Sequence, residues 1–430
     1  MTYNDIPNSV EQFMKKITEK CSDAHKDWAE NFNAAFANTL LTTVKRHEDG
    51  TTFLLTGDIP AMWLRDSTAQ VRPYLVIAKE DEDLAAMISG LVKKQFFYIN
   101  IDPYANAFNE EANGAGHQED HTEMNDWIWE RKYEIDSLCY PVQLAYLLYK
   151  NTGRTDQFNE DFVSGVQKIL QVFEVEQDHN CSPYNFVRDT WRKEDTLVNE
   201  GKGVTVAPTG MTWSGFRPSD DACAGGGYLV PSNMFAVVIL DYVAEIFSHI
   251  LNDEAIVEKA NTLRQEIQAG IEAHGRTTNA AGEDIYAYEV DGLGNASIMD
   301  DSNVPNLISA PYLGYGSMTD ERYLRTRKTL LSKENPYFYE GKYAKGIGSS
   351  HTPENYIWPI AMAMEGMTTD DKAEKERILN QLVATDAGTH LMHEGFDVDD
   401  PTQYTREWFS WANMMFCELV MDYFDIQVEK

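Results

Sequence analysis

The chain has 430 residues and a formal net charge of -33, from 36 Lys plus Arg against 69 Asp plus Glu. That balance excludes the basic stripe of a nucleic-acid binder and attachment to an anionic membrane surface. Hydrophobic residues at 43% and aromatics at 12% supply a large core and exclude a disordered chain.

From the N-terminus, Met1-Thr-Tyr-Asn-Asp-Ile-Pro7 has neither a basic n-region nor an apolar h-region, so no secretory signal is expected. A capping-box pattern follows, Ser9 with Gln12 three residues on, and Val10, Phe13, Met14 and Ile17 share one helical face. Helical periodicity predicts further helices at about 25–46, 67–78, 82–98, 135–150, 155–177, 231–250, 253–273, 304–314, 319–332, 353–366, 370–385 and 404–424. Thr51–Thr56 and Ile285–Val290 read as strands of hairpins between helices. The longest strictly apolar run, Met234–Leu240, is far short of the ~20 residues of a membrane span. Cys21, Cys139, Cys181, Cys223 and Cys417 are odd in number, scattered and without a CxxC pair. A reducing, cytoplasmic setting is expected, with neither a disulfide framework nor a cysteine zinc site.

Length alone suggests about three domains, but no Pro/Ser-rich linker or low-complexity tract divides the chain. One domain over 1–430 is the expectation. The helices are of two kinds. Those at 155–177, 253–273 and 370–385 are amphipathic, whereas those at 135–150, 231–243, 353–366 and 404–421 are apolar nearly all round. Helices of the second kind must be enclosed by others. About a dozen helices that alternate in this way predict an all-α fold, an (α/α)6 barrel with short β-hairpin decorations. A helical solenoid is the rival, but no period of about 30 to 50 residues recurs.

In such a barrel the inner helices run the same way, and the segments entering them share one rim. Those segments are Trp63-Leu-Arg-Asp-Ser67, Trp127–Tyr133, Trp213–Asp221, Ser349–Asn355 and His393–Asp397. Seven of the nine tryptophans fall in or just after them; Trp28 and Trp191 do not. The mixture of aromatics, carboxylates and arginines suits a sugar, whose ring face is apolar and whose edge carries hydroxyls. Glycoside hydrolysis needs two carboxyl groups. Asp220 and Asp221 lie in a loop with Trp213, Phe216 and Pro218, where desolvation is expected to raise one of the two pKa values. Glu394 follows His393 in a second loop. Structural alternatives remain: an N-cap or turn for the aspartate pair, an ion pair for Arg65 and Asp66, and a solvated surface residue for Glu394.

Other chemistries are poorly represented. P-loop, HExxH and GxSxG patterns are absent, and Gly225-Gly226-Gly227 lacks a nucleotide-binding context. His117 and His121 have metal-ligand spacing, but Gly114 and Gly116 favour a loop. Asp397, Asp399 and Asp400 lack the closing glutamate of a calcium loop. No metal and no cofactor are expected. Asn295-Ala-Ser297 is a formal glycosylation sequon, idle without secretion.

Several long segments resemble glycoside hydrolase family 125: Thr56–Gln70, Gly210–Asp221, Pro231–Phe235, the stretch around His351-Thr-Pro-Glu-Asn355, and His393-Glu-Gly-Phe396. The resemblance runs from about residue 30 to the C-terminus. It implies an (α/α)6 barrel and an exo-α-1,6-mannosidase that acts by inversion without a metal, on α-1,6-linked mannosides or N-glycan fragments. It also implies a general acid at Asp220 and a general base at Glu394. Arg65, Asp66 and Arg217 would then pair with mannose hydroxyls, Trp63, Trp213 and Trp408 would wall the pocket, and Asp221, His351, Asn355 and His393 would complete it. Two other classes stay open at this point. One is a sugar epimerase using His351 and His393 as a proton-shuttling pair, and the other is a non-catalytic glycan-binding protein.

Overall fold

The computed structural model describes Tyr3 and residues 5–430. Helix α1 (Asn8–Cys21) lies outside a double ring in which outer and inner helices alternate along the chain. The order is α2 (Lys26–Thr42, outer), α3 (Leu64–Val71, inner), α4 (Glu82–Ile101, outer), α5 (Ile135–Thr152, inner), α6 (Glu160–Val175, outer) and α7 (Val230–Ile246, inner). There follow α8 (Glu254–His274, outer), α9 (Ala310–Leu313, inner), α10 (Glu321–Leu330, outer), α11 (Pro359–Met367, inner), α12 (Lys372–Ala384, outer) and α13 (Ser410–Tyr423, inner). Around the inner ring α3 packs on α5, α5 on α7, α7 on α9 and α11 on α13, and α13 packs back on α3. This is the (α/α)6 barrel expected from the alternation of helix types.

Burial explains that alternation. Every residue of α13 from Ser410 to Asp422 is buried, and so is every residue of α7 from Val230 to Leu240. By contrast, α8 buries Ile256, Ala260, Leu263, Ile267, Gly270 and Ile271, a single stripe at helical spacing. Together with the following turn Phe247–Leu251, α7 is long and apolar enough to match a membrane span by length and composition. Enclosure inside a ring of helices produces the same apolar pattern.

Several predicted boundaries move, with identifiable causes. The capping box does not form: Pro7 precedes α1 without a side-chain cap, and the Ser9 hydroxyl donates instead to Asp81. The helix predicted at 67–78 starts at Leu64 and breaks into a 3-10 turn at Arg72–Tyr74, where Pro73 has no N–H to give. The segments predicted at 304–314, 353–366 and 404–424 shorten to α9, α11 and α13, because their first residues are rim structure. Pro359 opens α11 at the position where a helix tolerates proline best.

Small antiparallel sheets ride on the rim. Met62–Trp63, Ala107–Phe108 and Ile128–Glu130 form one, and Tyr356–Ile357, Gly395–Asp397 and Asp400–Thr405 another. The predicted Thr51–Thr56 strand is Thr52–Leu54, paired with Val44–Arg46. The predicted Ile285–Val290 run splits: Asp284–Tyr286 pairs with Arg276–Thr278, and Glu289–Val290 pairs with Tyr228–Leu229.

Candidate active site

A cavity of about 260 Å³ opens at the N-terminal ends of the inner helices. Its lining comes from the segments that enter those helices. Trp63, Arg65 and Asp66 stand at the start of α3, Trp129, Glu130 and Lys132 ahead of α5, and Pro218, Ser219 and Asp220 before α7. His351 and Trp358 precede α11, and Glu394, Arg406, Phe409 and Trp411 surround the start of α13. The two rim sheets carry Trp63, Trp129 and Glu130 on one side and deliver Glu394 and Trp358 on the other.

Asp220 sits at φ 64 in a tight turn, where its N–H donates to the Arg217 carbonyl at 2.9 Å and the Arg217 N–H to the Asp221 carbonyl at 2.7 Å. Left-handed backbone is uncommon for a residue with a Cβ, although aspartate is among the more tolerant types. The turn sends two adjacent carboxyls to different places. Asp220 lines the cavity, while Asp221 is fully buried outside it, accepting from Ser350 Oγ at 2.6 Å and lying 3.0 Å from both Arg192 and His351 Nδ1. Against burial, Asp221 raises the His351 imidazole above its ordinary value, with Glu394 and Asp220 adding to the effect. Glu394 lines the same cavity, 7% exposed, with Arg406 Nε 3.5 Å from Oε1.

Desolvation does not raise either aspartate of the pair, contrary to the expectation from the aromatic loop. At Asp220 burial is outweighed by Arg65 and then Lys132, which hold the carboxyl below its usual range. At Asp221 burial is outweighed by His351, Ser350 and Arg192 acting together, with the same result. The raised carboxyls are the other partners of Arg65. Burial pushes Asp66 and Asp136 up to about 6 against the pull of Arg65, and it pushes Glu134 well up.

Of the ten residues expected to bind substrate, Trp63, Arg65, Asp66 and His351 line the cavity and six do not: Asp221, held behind the wall by Ser350 and His351, and Trp213, Arg217, Asn355, His393 and Trp408. Trp213 is 1% exposed and stacks on His179 with ring centres 3.4 Å apart, so it is a core residue and not a pocket wall. Arg217 pairs with Glu289 at 2.5 Å beneath the Asp220 turn. His393 stacks on Tyr404 at 3.8 Å, with Nδ1 3.1 Å from the Glu407 carbonyl, and so anchors the loop that presents Glu394. Asn355 is exposed at a φ of 67, and its carbonyl accepts from Val398 N–H. Trp408 donates from its indole to Ser410, leaving Phe409 and Trp411 to face the cavity. With His393 turned away, the cavity holds no His351–His393 pair of the kind an epimerase would use.

The structure adds His117, Trp129, Glu130, Lys132, Arg188, Asn303 and Arg406 to the lining. His117 lies in a loop, as the flanking glycines suggest, with Nε2 3.8 Å from Glu130, whereas His121 turns toward Asp189. Among the described residues, no group of three or more His, Cys, Asp or Glu has the geometry to hold a metal ion. Lys132 and Glu130 were visible as part of the Trp127–Tyr133 segment, but Arg188 and Asn303 sit in stretches with no distinguishing composition.

The relocation of Trp213 has a measurable consequence. Trp213→Leu should cost about 3 kcal/mol through the cavity it leaves, while KM for a mannoside stays within about twofold. Thermal unfolding and steady-state kinetics on the same preparation check both, and a KM increase without loss of stability would return Trp213 to the pocket.

A double ring of helices with a carboxylate-lined, aromatic-walled cavity at the inner N-termini defines a glycoside hydrolase of the (α/α)6 class. Solved glycosidases share the architecture at low identity: a bacterial glucoamylase complexed with acarbose superimposes at a TM-score of 0.60 with 12% identity, covering 96% of this chain and 58% of that one. The family described as metal-independent alpha-mannosidase (GH125) matches residues 25–421, and the chain belongs to glycoside hydrolase family 125. It is similar, at 60% identity and a TM-score of 0.97 over 98% of this chain and 99% of the other, to a metal-independent α-mannosidase from Streptococcus pneumoniae. That structure is a non-productive substrate complex with α-1,6-mannobiose. It is also 37% identical to the "Meiotically up-regulated gene 157 protein" of Schizosaccharomyces pombe, over 96% of this chain and 85% of that protein. The chain is an α-mannosidase.

Proposed function

We propose that the enzyme removes single terminal α-1,6-linked mannose residues from the non-reducing ends of glycans, with inversion at the anomeric carbon. The observation that carries this reading is the presence of Asp220 and Glu394 in one small cavity, delivered by loops before different inner helices. At about 260 Å³ the cavity lies below the ~300–1,000 Å³ typical of ligand pockets, which favours one sugar ring over a long chain. The α-1,6 linkage is supported by the mannobiose held by the pneumococcal relative.

In this reading Asp220 protonates the glycosidic oxygen as the C1–O bond breaks. Glu394 takes a proton from a water that adds to C1 on the opposite face. Inversion needs the two carboxyls about 6.5–9.5 Å apart so that the water fits between them. Of the residues that line the cavity, Arg65, Asp66 and Asn303 would in this reading meet hydroxyls, and Trp63, Trp129, Trp358, Phe409 and Trp411 would cover the apolar ring face.

Proton NMR during early turnover of α-1,6-mannobiose tests the mechanism. β-Mannose should appear first, before mutarotation. If α-mannose came first, a covalent intermediate and carboxyls about 5–5.5 Å apart would be indicated and inversion abandoned. Running 1,2- and 1,3-linked mannobioses alongside tests the linkage, since misplacing the donor by about 1 Å can cost 10²-fold. Comparable rates on all three would remove the 1,6 assignment.

A further inference from the structure

Behind Asp220 the Arg65 guanidinium is surrounded by four carboxyls. Glu134 Oε2 lies 2.5 Å and Asp136 Oδ2 3.1 Å from Nη1, Asp220 Oδ1 lies 3.1 Å from Nη2, and Asp66 Oδ2 lies 3.5 Å from Nε. The side chains of Glu134 and Asp136 have no solvent exposure, and that of Asp66 has 6%. Lys132 reaches the cluster only at its Asp220 end and is shared with other carboxylates. Its ammonium donates to the Asp220 backbone carbonyl at 2.7 Å and lies 3.4 Å from Asp195 and 3.7 Å from Glu130. Arg65 and a Lys132 shared with Glu130 and Asp195 cannot compensate four ionised carboxyls, and most of the surplus negative charge would lie away from water. Buried groups in that position keep protons instead.

The hydrogen bonds indicate where those protons reside. Glu134 Oε1, Asp136 Oδ1 and Asp66 Oδ2 are buried oxygens with no hydrogen-bond partner. An ionised carboxylate oxygen is acceptor-only and is costly to bury without a donor, whereas a protonated one can itself donate. Of the three groups, Glu134 is the one in hydrogen-bond contact with the Asp220 carboxyl. Two carboxyls in that contact hold a proton between them, and like-charge repulsion resists its removal.

We propose that Glu134 is a positioning residue that shares one proton with Asp220, so that the pair, and not Asp220 alone, holds the proton delivered to the leaving oxygen. This rests on the reading of Asp220 as proton donor. In each turnover the pair loses one proton to the glycosidic oxygen, water gives hydroxide to C1, and its other proton goes to Glu394. After product leaves, Glu394 releases that proton to solvent and the pair regains one, so the cycle balances. The direction of the shifts agrees: burial drives the Glu134 carboxyl well up, whereas Arg65 and Lys132 draw the resting negative charge onto Asp220. The charged groups facing the pair are Arg65 and Asp66 from α3, Glu130 and Lys132 from the rim strand and the residues after it, Asp136 from α5, and His351 from the loop before α11. The Cys223 thiol also lies near Glu134.

Glu134→Gln keeps the shape and a donor to Asp220 but removes the like charge that holds the proton. The alkaline limb of its kcat/KM profile should therefore move acidward by about one unit or more. At pH 7, kcat should fall at least about tenfold with KM within about threefold, and Glu134→Asp should restore part of the limb. A limb that superimposes on wild type, while Asp220→Asn abolishes turnover, overturns the shared proton and leaves the donor assignment standing. Substantial activity in Asp220→Asn removes the donor assignment itself. If Glu134→Gln does not fold, infrared spectroscopy of the wild type decides. A protonated-carboxyl band at pH 7 that bleaches in step with the alkaline limb supports the pair, and absence of such a band overturns it.

Discussion

Asp220→Asn and Glu394→Gln are each expected to lower turnover of an α-1,6-mannoside by about 10² to 10⁴-fold, the usual contribution of a general acid or base. Both changes keep side-chain size. In Asp220→Asn the new amide can still meet Arg65 through its oxygen, and Glu394 is restrained mainly by Arg406 at 3.5 Å and by its backbone N–H to the Thr405 carbonyl. The melting temperature and KM should therefore change little, so the loss belongs to the chemical step. In the proposed mechanism both groups act in one step on opposite faces of the ring, so the double variant should lose far less than the product of the two single losses. Steady-state kinetics on the three variants checks this, and more than about a tenth of wild-type activity in either single variant removes that residue from its role.

Arg65→Met is expected to be the most destabilising single change at the site. It removes the cation to which Asp66, Glu134, Asp136 and Asp220 all turn, and breaking a buried pair from one side costs about 3–5 kcal/mol. The loss should depend on pH. Burial, opposed by Arg65, already places Asp66 and Asp136 at about 6, above their unfolded values near 4. An acid whose folded pKa is raised binds more protons folded than unfolded. Its stabilising contribution is complete below about pH 4 and is lost as the pH rises to about 6. Without Arg65 those folded values rise further, so the deficit of Arg65→Met should widen from acid toward neutral pH. Chemical denaturation of both proteins at about pH 5 and pH 8 measures it. A deficit that is constant with pH would mean that the guanidinium does not govern the cluster.

The architecture was legible in the sequence because burial in a helix is written locally. The all-round apolar stretches at Met234–Leu240 and Trp408–Phe416 could only be enclosed, and the single stripe of α8 could only lie on the outside. Alternation of the two kinds then left few arrangements. Helix starts were less legible, since at Pro353–Trp358 and Asp400–Phe409 helical spacing of apolar residues runs on through strands and turns. There, pairing between Tyr356–Ile357 and Gly395–Asp397 overrides local periodicity.

At the site the sequence marked the right segments but not the direction of each side chain. Trp63, Arg65, Asp66, Asp220, His351 and Glu394 face the cavity, whereas Trp213, Arg217, His393 and Trp408 come from the same segments and face the wall behind it. Asp220 and Asp221 show why composition does not discriminate. They are adjacent and chemically identical, and a single left-handed residue at φ 64 sends one into the cavity and the other to Ser350 and His351, 129 and 130 positions away. Glu134 gave no signal at all, because its importance arises from Arg65 and Asp220, which reach it across 69 residues in one direction and from a separate loop in the other. Apolar patterning acts through neighbours one turn apart and is readable along the chain. The direction of a polar side chain is set by partners that only the closed barrel brings within hydrogen-bond distance.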